Sequence, residues 1–204
     1  MFSLVNGILL EPLPFPEPDR LVRLSHTARD AGAATVDQSD ASVLLYQTAA
    51  HAFEGVAAWR FDNGILGASE PGQAAIRVRG ARVTSNFFDV IGVRPALGRG
   101  FAPGEDRPGA NRVVVLSHRV WQQHLHGDSN AVGRLVVVND VPRTVVGIMP
   151  RHFAYPANHV GLWLPLARDP ADQRTFDLVG IARLKRGVST AAARADLALA
   201  IGEG

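Results

Sequence analysis

Three histidines, His118, His124 and His126, are the nearest approach to a metal-ligating set in this chain. Ligands on one helix face need i, i+3 or i+4 spacing, as in H-E-x-x-H. These three lie six and two apart and straddle a helix end expected near Gly127, so they read as structural or exposed residues. Ser117-His118 places a nucleophile next to a base, but adjacent residues on a helix point in different directions and no G-x-S-x-G elbow is present. Capping accounts for Ser117 better. Gly98-x-Gly100 with Gly104 lacks the Lys-Ser/Thr of a phosphate loop and the spacing of a dinucleotide fingerprint, and reads as a turn-rich crossing. Glu105 and Asp106 are neighbours in a loop, where sequence adjacency does not fix the ~5 to 9 Å separation that paired-carboxylate chemistry uses. They are expected to be solvated loop acids, or to cap or pair with Arg99 or Arg112. Trp59, Phe61, Trp121 and Trp163 are too dispersed for a stacking platform and are assigned mostly to core. No catalytic, cofactor-binding or metal-binding residue emerges, and the chain is read as a non-enzyme with no cofactor.

The elements around these residues are organised by the stretch from Val83 to Trp121. Ser85 is expected to cap a short helix carrying Phe87, Phe88 and Ile91, with Gly92 at the position that ends it. Val113 to Leu116 predicts a strand, followed by a helix capped by Ser117 in which Leu116 and Trp121 form a hydrophobic staple. Upstream, the pattern predicts a strand over Arg20 to Thr27, a helix from Ser39 to His51, and strands over Phe53 to Leu66 and Ala74 to Val83 around the turn Ser69-Glu70-Pro71-Gly72. Arg77, Arg79 and Arg82 are placed on the solvated face of the second of these strands. Downstream, Asn139-Asp140 predicts a two-residue hairpin turn between Leu135 to Val138 and Val141 to Ile148, with Pro142 at an edge or non-bonded position. Arg151 to Asn158 is expected as loop, Leu162 to Leu164 and Phe176 to Leu184 as strands, and a helix capped by Ser189 presents Ala193, Leu197 and Ile201 on one face.

Composition narrows the classes. With 204 residues, 47% hydrophobic and 20% charged, the chain can bury a sizeable core as one large domain or two small ones. Net charge is only +2, and arginines are scattered among acids, which argues against nucleic acid as a partner. The absence of cysteine removes disulfide and thiol chemistry. No run approaches the ~18 apolar residues of a membrane span. MFSLVNGILL is about half of one, without the basic start or cleavage site of a signal peptide, and Pro12, Pro14, Pro16 and Pro18 follow it as a stiff linker. Read from the residues alone, Phe2 to Leu10 is a short buried helix.

The run Asn86-Phe87-Phe88-Asp89-Val90-Ile91-Gly92-Val93, with Pro95-Ala96-Leu97-Gly98-Arg99, Glu105-Asp106 and Val115-Leu116-Ser117-His118 with Trp121, resembles the extracytoplasmic core of permeases related to the MacB efflux transporter. The likeness is to the bacterial subfamily with two copies of the membrane unit. Leu9-Leu10 with Pro12-Leu13-Pro14, Gly127-Asp128, Val145 to Pro150, Leu162 to Leu166 and Arg183-Leu184-Lys185 with Gly187-Val188 extend it over nearly the whole chain. The resemblance implies an α+β fold, with a porter-like α/β subdomain interrupted by a smaller, mostly-β subdomain. It places the outer end of a transmembrane helix and a Pro-rich linker at 1–18, the first part of the porter-like subdomain at 19–92, the insertion at 93–174 and the second part at 175–204. It implies part of a longer or shortened permease at the cell inner membrane, facing the periplasm. The implied role is non-catalytic transmission of conformational change for efflux or export. The implied partners are a cytoplasmic ABC ATPase, a second permease half or protomer, a periplasmic adaptor, and the lipid bilayer at the N-terminus. A free-standing periplasmic binding module for a peptide or lipid is the alternative, and a hydrolase built from the scattered Ser, His and Asp residues is a third reading.

Overall fold

The computed structural model describes residues 2–5, 15–28, 34–68, 72–167 and 176–202. In chain order its elements are β1 (Phe2–Val5), a 3-10 turn (Pro18–Arg20), β2 (Leu21–Ala28), β3 (Ala34–Val36), α1 (Asp40–Ala49), β4 (Phe53–Leu66), β5 (Ile76–Val83), α2 (Phe87–Ile91) and β6 (Leu97–Gly98). They continue with β7 (Val113–Leu116), α3 (His118–His124), β8 (Leu135–Val138), β9 (Val141–Ile148), β10 (Leu162–Pro165), β11 (Val179–Leu184) and α4 (Thr190–Gly202). Among the described residues no helix is long and apolar enough to cross a membrane.

The chain divides into two units, 1–59 with 89–93 and 168–204, and 60–88 with 94–167. In the first, an antiparallel sheet runs β1-β2-β11-β4, with β3 also on β2. One face alternates Val22, Leu24, Phe53, Val56, Ala182 and Leu184 into a core that Tyr46 of α1 and Ala193 and Leu197 of α4 close. Ser39 caps α1 in a reciprocal capping box with Ser42.

In the second unit, the strands run β4-β5-β10-β7-β9, and β8 pairs with both β9 and β4, so six strands close on themselves. Closure leaves no open edge between β4 and β9. The interior is filled by Leu66, Val78, Val114, Leu116, Val136, Val138, Val145, Ile148, Leu162 and Leu164, with Val120 and Leu125 of the α3 segment against them. Asn139 and Asp140, with φ of 52° and 61°, make the tight turn between β8 and β9. Pro142 sits opposite Val137 in that hairpin, ahead of the β9 residues that pair with β7. β6 packs on β9 with Gly98 opposite Gly147. A Cβ on Gly98 would lie 2.2 Å from the Val146 carbonyl oxygen, and one on Gly147 would lie 2.3 Å from that of Arg99.

Several expectations change. Phe2–Val5, read as helix, is a strand paired with β2, where Phe2 faces His26 and Val5 faces Arg23. The rest of the expected Phe2 to Leu10 helix, and Pro12 and Pro14, lie outside the described residues, as do Ser69, Glu70 and Pro71 of the turn. Residues 60–88 group with 94–167 in the second unit. The cause is the length of β4, whose start pairs with β11 from Phe53 to Trp59 and whose end pairs with β8 at Leu66. α2 begins at Phe87, two residues after Ser85. The Thr84 carbonyl accepts from the Phe87 amide at 3.1 Å, and the Ser85 amide is held by Asp106. Leu97–Gly98, read as a bare crossing, forms a short strand because the Arg99 amide and the Ala96 amide both find carbonyls on β9.

Candidate functional site

The serine, histidines and acids whose types could do chemistry make local structural contacts. Ser117 accepts the Val120 amide at 3.2 Å and so caps α3. Next to it, half-buried His118 sets its ring edge-on to Trp121 at 5.2 Å between centroids. His124 is 2% exposed, with Nε2 at 2.7 Å from the Gly67 carbonyl, while His126 is exposed at a φ of 52° where α3 ends. Among the described residues no group of three or more His, Asp or Glu could hold a metal ion.

The acidic pair separates into two anchors. Glu105 takes both ends of the Arg99 guanidinium at 2.9 and 2.7 Å and the Ala102 amide at 2.7 Å. Burial opposes its charge, but the Arg99 fork and the Ala102 amide outweigh that and hold its carboxyl below the ordinary glutamate value. Asp106, 2% exposed, accepts the Ser85 amide at 3.0 Å. Trp59 and Trp163 are buried as expected. Trp163 joins Phe88, Phe101 and Phe153 in an aromatic cluster with centroids 5.2 to 6.1 Å apart. Phe61 is the exception, half exposed on β4.

A different polar constellation lies in the first unit, at the segments that enter and leave its sheet. Arg183 stands in the apolar strand β11 between Ala182 and Leu184. Those two residues fill the core on one face, so alternation sends Arg183 to the other, where it is only 5% exposed. Its Nε donates to the Val90 carbonyl at 2.7 Å, and its Nη1 donates to the Pro16 carbonyl at 3.1 Å. Nη2 has no hydrogen-bond partner among the described residues. Burial, and then the nearby charge of Arg20, lower the guanidinium pKa from its usual value, yet an arginine stays protonated. One buried cation thus joins β11, the end of α2 and the linker before β2.

Arg20 extends the junction. Its Nε donates to the Leu184 carbonyl at 2.8 Å, Nη1 pairs with Glu17 at 2.6 Å, and Nη2 pairs with Glu54. Arg186 meets Glu17 from the far side at 3.3 Å. At the other end of the chain, Ser189 caps α4 by accepting the Ala192 amide at 3.2 Å. Asp196 of α4 accepts the amides of His51 and Ala52 at 2.6 and 2.8 Å, which fastens the helix to the entry of β4. Sequence reasoning passed over Glu17, Arg20, Glu54 and Asp196. The available signals were a lone arginine in the apolar run Gly-Ile-Ala-Arg-Leu and a lone aspartate in an Ala/Leu-rich helix.

An α+β domain of two units, in which polar side chains fasten the segments entering and leaving one sheet, is the class these features define. The chain belongs to the MacB-like periplasmic core domain family, whose model matches residues 1–200. It is thus an extracytoplasmic domain of the MacB-like ABC transporter permease class. It is 33% identical over 112 residues to the macrolide export ATP-binding/permease protein MacB of Chromobacterium violaceum, a match covering 53% of this chain and 17% of the relative. A probable syringafactin export ATP-binding/permease protein, SyfD, of Pseudomonas syringae pv. tomato is 30% identical over 115 residues, covering 54% and 17%. The chain therefore spans about a sixth of the length of these relatives. Among solved structures, the periplasmic region of MacB from Actinobacillus actinomycetemcomitans matches with a TM-score of 0.59 at 19% identity, covering 85% of this chain and 78% of that one. A domain of a putative permease from Porphyromonas gingivalis gives 0.65 at 17%, covering 93% and 83%. The extracellular domain of the noncanonic ABC-type transporter YknZ from Gram-positive bacteria gives 0.61 at 13%, covering 86% and 88%. At these identities the structural likeness establishes the fold.

Proposed function

We propose that this domain is the non-catalytic periplasmic part of an inner-membrane export permease, and that it transmits conformational change between the membrane and the outer side. On this reading a cytoplasmic ATPase drives flanking membrane segments, and their movement enters the domain through the linker before β2 and through α4. A second permease half or protomer and a periplasmic adaptor complete the assembly.

The observation that carries the reading is the double anchorage in the first unit. Arg183 and Arg20 fasten the linker to β11, and Asp196 fastens α4 to the start of β4. A segment tied to a sheet by charge-assisted hydrogen bonds passes displacement to that sheet, whereas a loose segment would dissipate it. The names of the curated relatives, which refer to export, fit the same role.

The test uses the full-length permease with its ATPase in cells. Asp196→Ala and Arg183→Met, each checked for normal membrane levels, should lower export at least tenfold while ATP hydrolysis persists. Export at the unaltered rate in both variants would refute the transmission reading.

A further inference from the structure

The outward face of β4, β5 and β8 carries a combination that neither the anchorage nor the core requires. Phe61 and Ile65 on β4 are 50% and 51% exposed, and Leu135 and Val137 on β8 are 70% and 40% exposed. They share a side of the sheet, because Leu66 pairs with Val138 and the Gly67 amide donates to the Val137 carbonyl at 2.8 Å. Alongside lie Arg77 and Arg79, both exposed on β5. An open groove of about 350 Å³ is lined by Asn63, Gly64, Ile65, Arg77, Arg79 and Asn139, with Val78 beneath. No carboxylate is among its described lining residues.

The cations are arranged unequally. Arg79 donates to His159 Nε2 at 2.7 Å, and its guanidinium sits 6.0 Å from the centroid of the Phe61 ring, which itself stacks on His159 at 6.2 Å. These contacts orient Arg79 without neutralising it. Arg77 makes no ion pair among the described residues. A guanidinium pair facing a groove with no acid among its described lining residues favours an anion, and planar guanidinium groups bind phosphate or carboxylate oxygens in bidentate fashion. The apolar residues beside them favour a hydrocarbon chain. The groove, of about 350 Å³, falls at the lower end of the roughly 300–1,000 Å³ typical of small-molecule sites and takes the headgroup, while the chain leaves it at Ile65 for the exposed apolar residues of β8.

We infer that this groove binds an anionic amphiphile, a single hydrocarbon chain bearing a phosphate or carboxylate head, with the head on Arg77 and Arg79 and the chain along Ile65, Val137 and Leu135. The site lies in the second unit, and its occupancy does not depend on the transmission reading. It can be tested on the chain as it stands.

The probe is dodecyl phosphate below its micelle concentration, titrated by calorimetry into the 204-residue chain. A single saturable site is expected, weakened at least tenfold in Arg77→Gln/Arg79→Gln and weakened also in Ile65→Ser. Inorganic phosphate should bind at least tenfold more weakly than dodecyl phosphate, and dodecyl maltoside, with the same chain and a neutral head, should not compete. These side chains are exposed, so the variants should keep the wild-type melting profile. Equal binding to the double variant, equal binding of the neutral amphiphile, or no saturable site would overturn the proposal. Export assays on the anchorage variants leave it untouched, so the two readings can fail separately.

Discussion

Replacing Arg183 by methionine keeps most of the side chain's volume and removes its charge and its donors. Two bonds matter, Nε to the Val90 carbonyl at 2.7 Å and Nη1 to the Pro16 carbonyl at 3.1 Å, because the contact to the Glu17 carbonyl at 3.5 Å is at the limit of bonding. Hydrogen bonds involving a charged group contribute about 1.5–3 kcal/mol each, so the pair contributes about 3–6 kcal/mol. Against this stands the desolvation of a buried guanidinium whose Nη2 has no hydrogen-bond partner among the described residues, a cost of several kcal/mol that methionine would relieve. The carbonyl left behind on the 4%-exposed Val90 loses its donor as well. The balance expected is a net loss of about 2 kcal/mol, a rise of roughly thirty-fold in the local opening constant. The assay is native-state amide hydrogen exchange. The amides of Arg20 and Leu21, which close the 3-10 turn onto the Glu17 and Pro18 carbonyls, should lose protection by that factor, while Val145 inside the second unit keeps its own. Unchanged or increased protection at Arg20 and Leu21 would show that the buried cation is a replaceable charge, and the anchorage argument would fall with it.

Three further perturbations test other parts of the molecule. Gly98→Ala should destabilise the second unit by about 3 kcal/mol, because φ is 72° and the new Cβ meets the Val146 carbonyl oxygen at 2.2 Å; a urea midpoint within error of wild type would contradict this. Asp140→Gly should raise stability by about 0.5–1 kcal/mol by relieving a left-handed non-glycine residue in the β8–β9 turn, measured as a shift in the same midpoint. Glu105→Gln probes pH dependence. The Glu105 carboxyl titrates below its ordinary value of 4.5 in the folded chain, so its stabilisation is complete above that value and disappears as pH falls through the lower folded value. The variant should therefore melt lower than wild type at neutral pH, by less than about 1 kcal/mol given the exposure of Arg99, with the gap closing below roughly pH 4.5. A gap constant down to pH 3 would refute the pairing.

Much of the local structure was legible because it depends on near neighbours. The Ser39 and Ser117 caps, the Asn139-Asp140 turn, the alternation in β5 and the helix from Ser189 each rest on contacts within a few residues. Reading Phe2–Val5 as helix failed because a short apolar run has no period of its own, and pairing with β2 decides its conformation. The helix start after Ser85 was placed one residue early, since α2 begins at Phe87, and the Ser85 amide is held instead by Asp106, 21 residues away. Arg77 and Arg79 were placed on the exposed face correctly, but nothing in their spacing announced that Phe61, Ile65 and Val137 would stand beside them.

The sequence by itself pointed to most of the helices and strands and, through the run around Asn86 to Arg99, to the family. Only the tertiary structure decided that the far half of β4 and all of β5 belong to the second unit, that six strands close through β8, and that Arg183, Arg20 and Asp196 fasten the two arms of the first. The reason is range. Caps, turns and alternation are set by residues three or four positions apart, whereas Arg183 meets Pro16 across 167 positions and Asp196 meets Ala52 across 144, distances over which only the folded sheet brings donor and acceptor together.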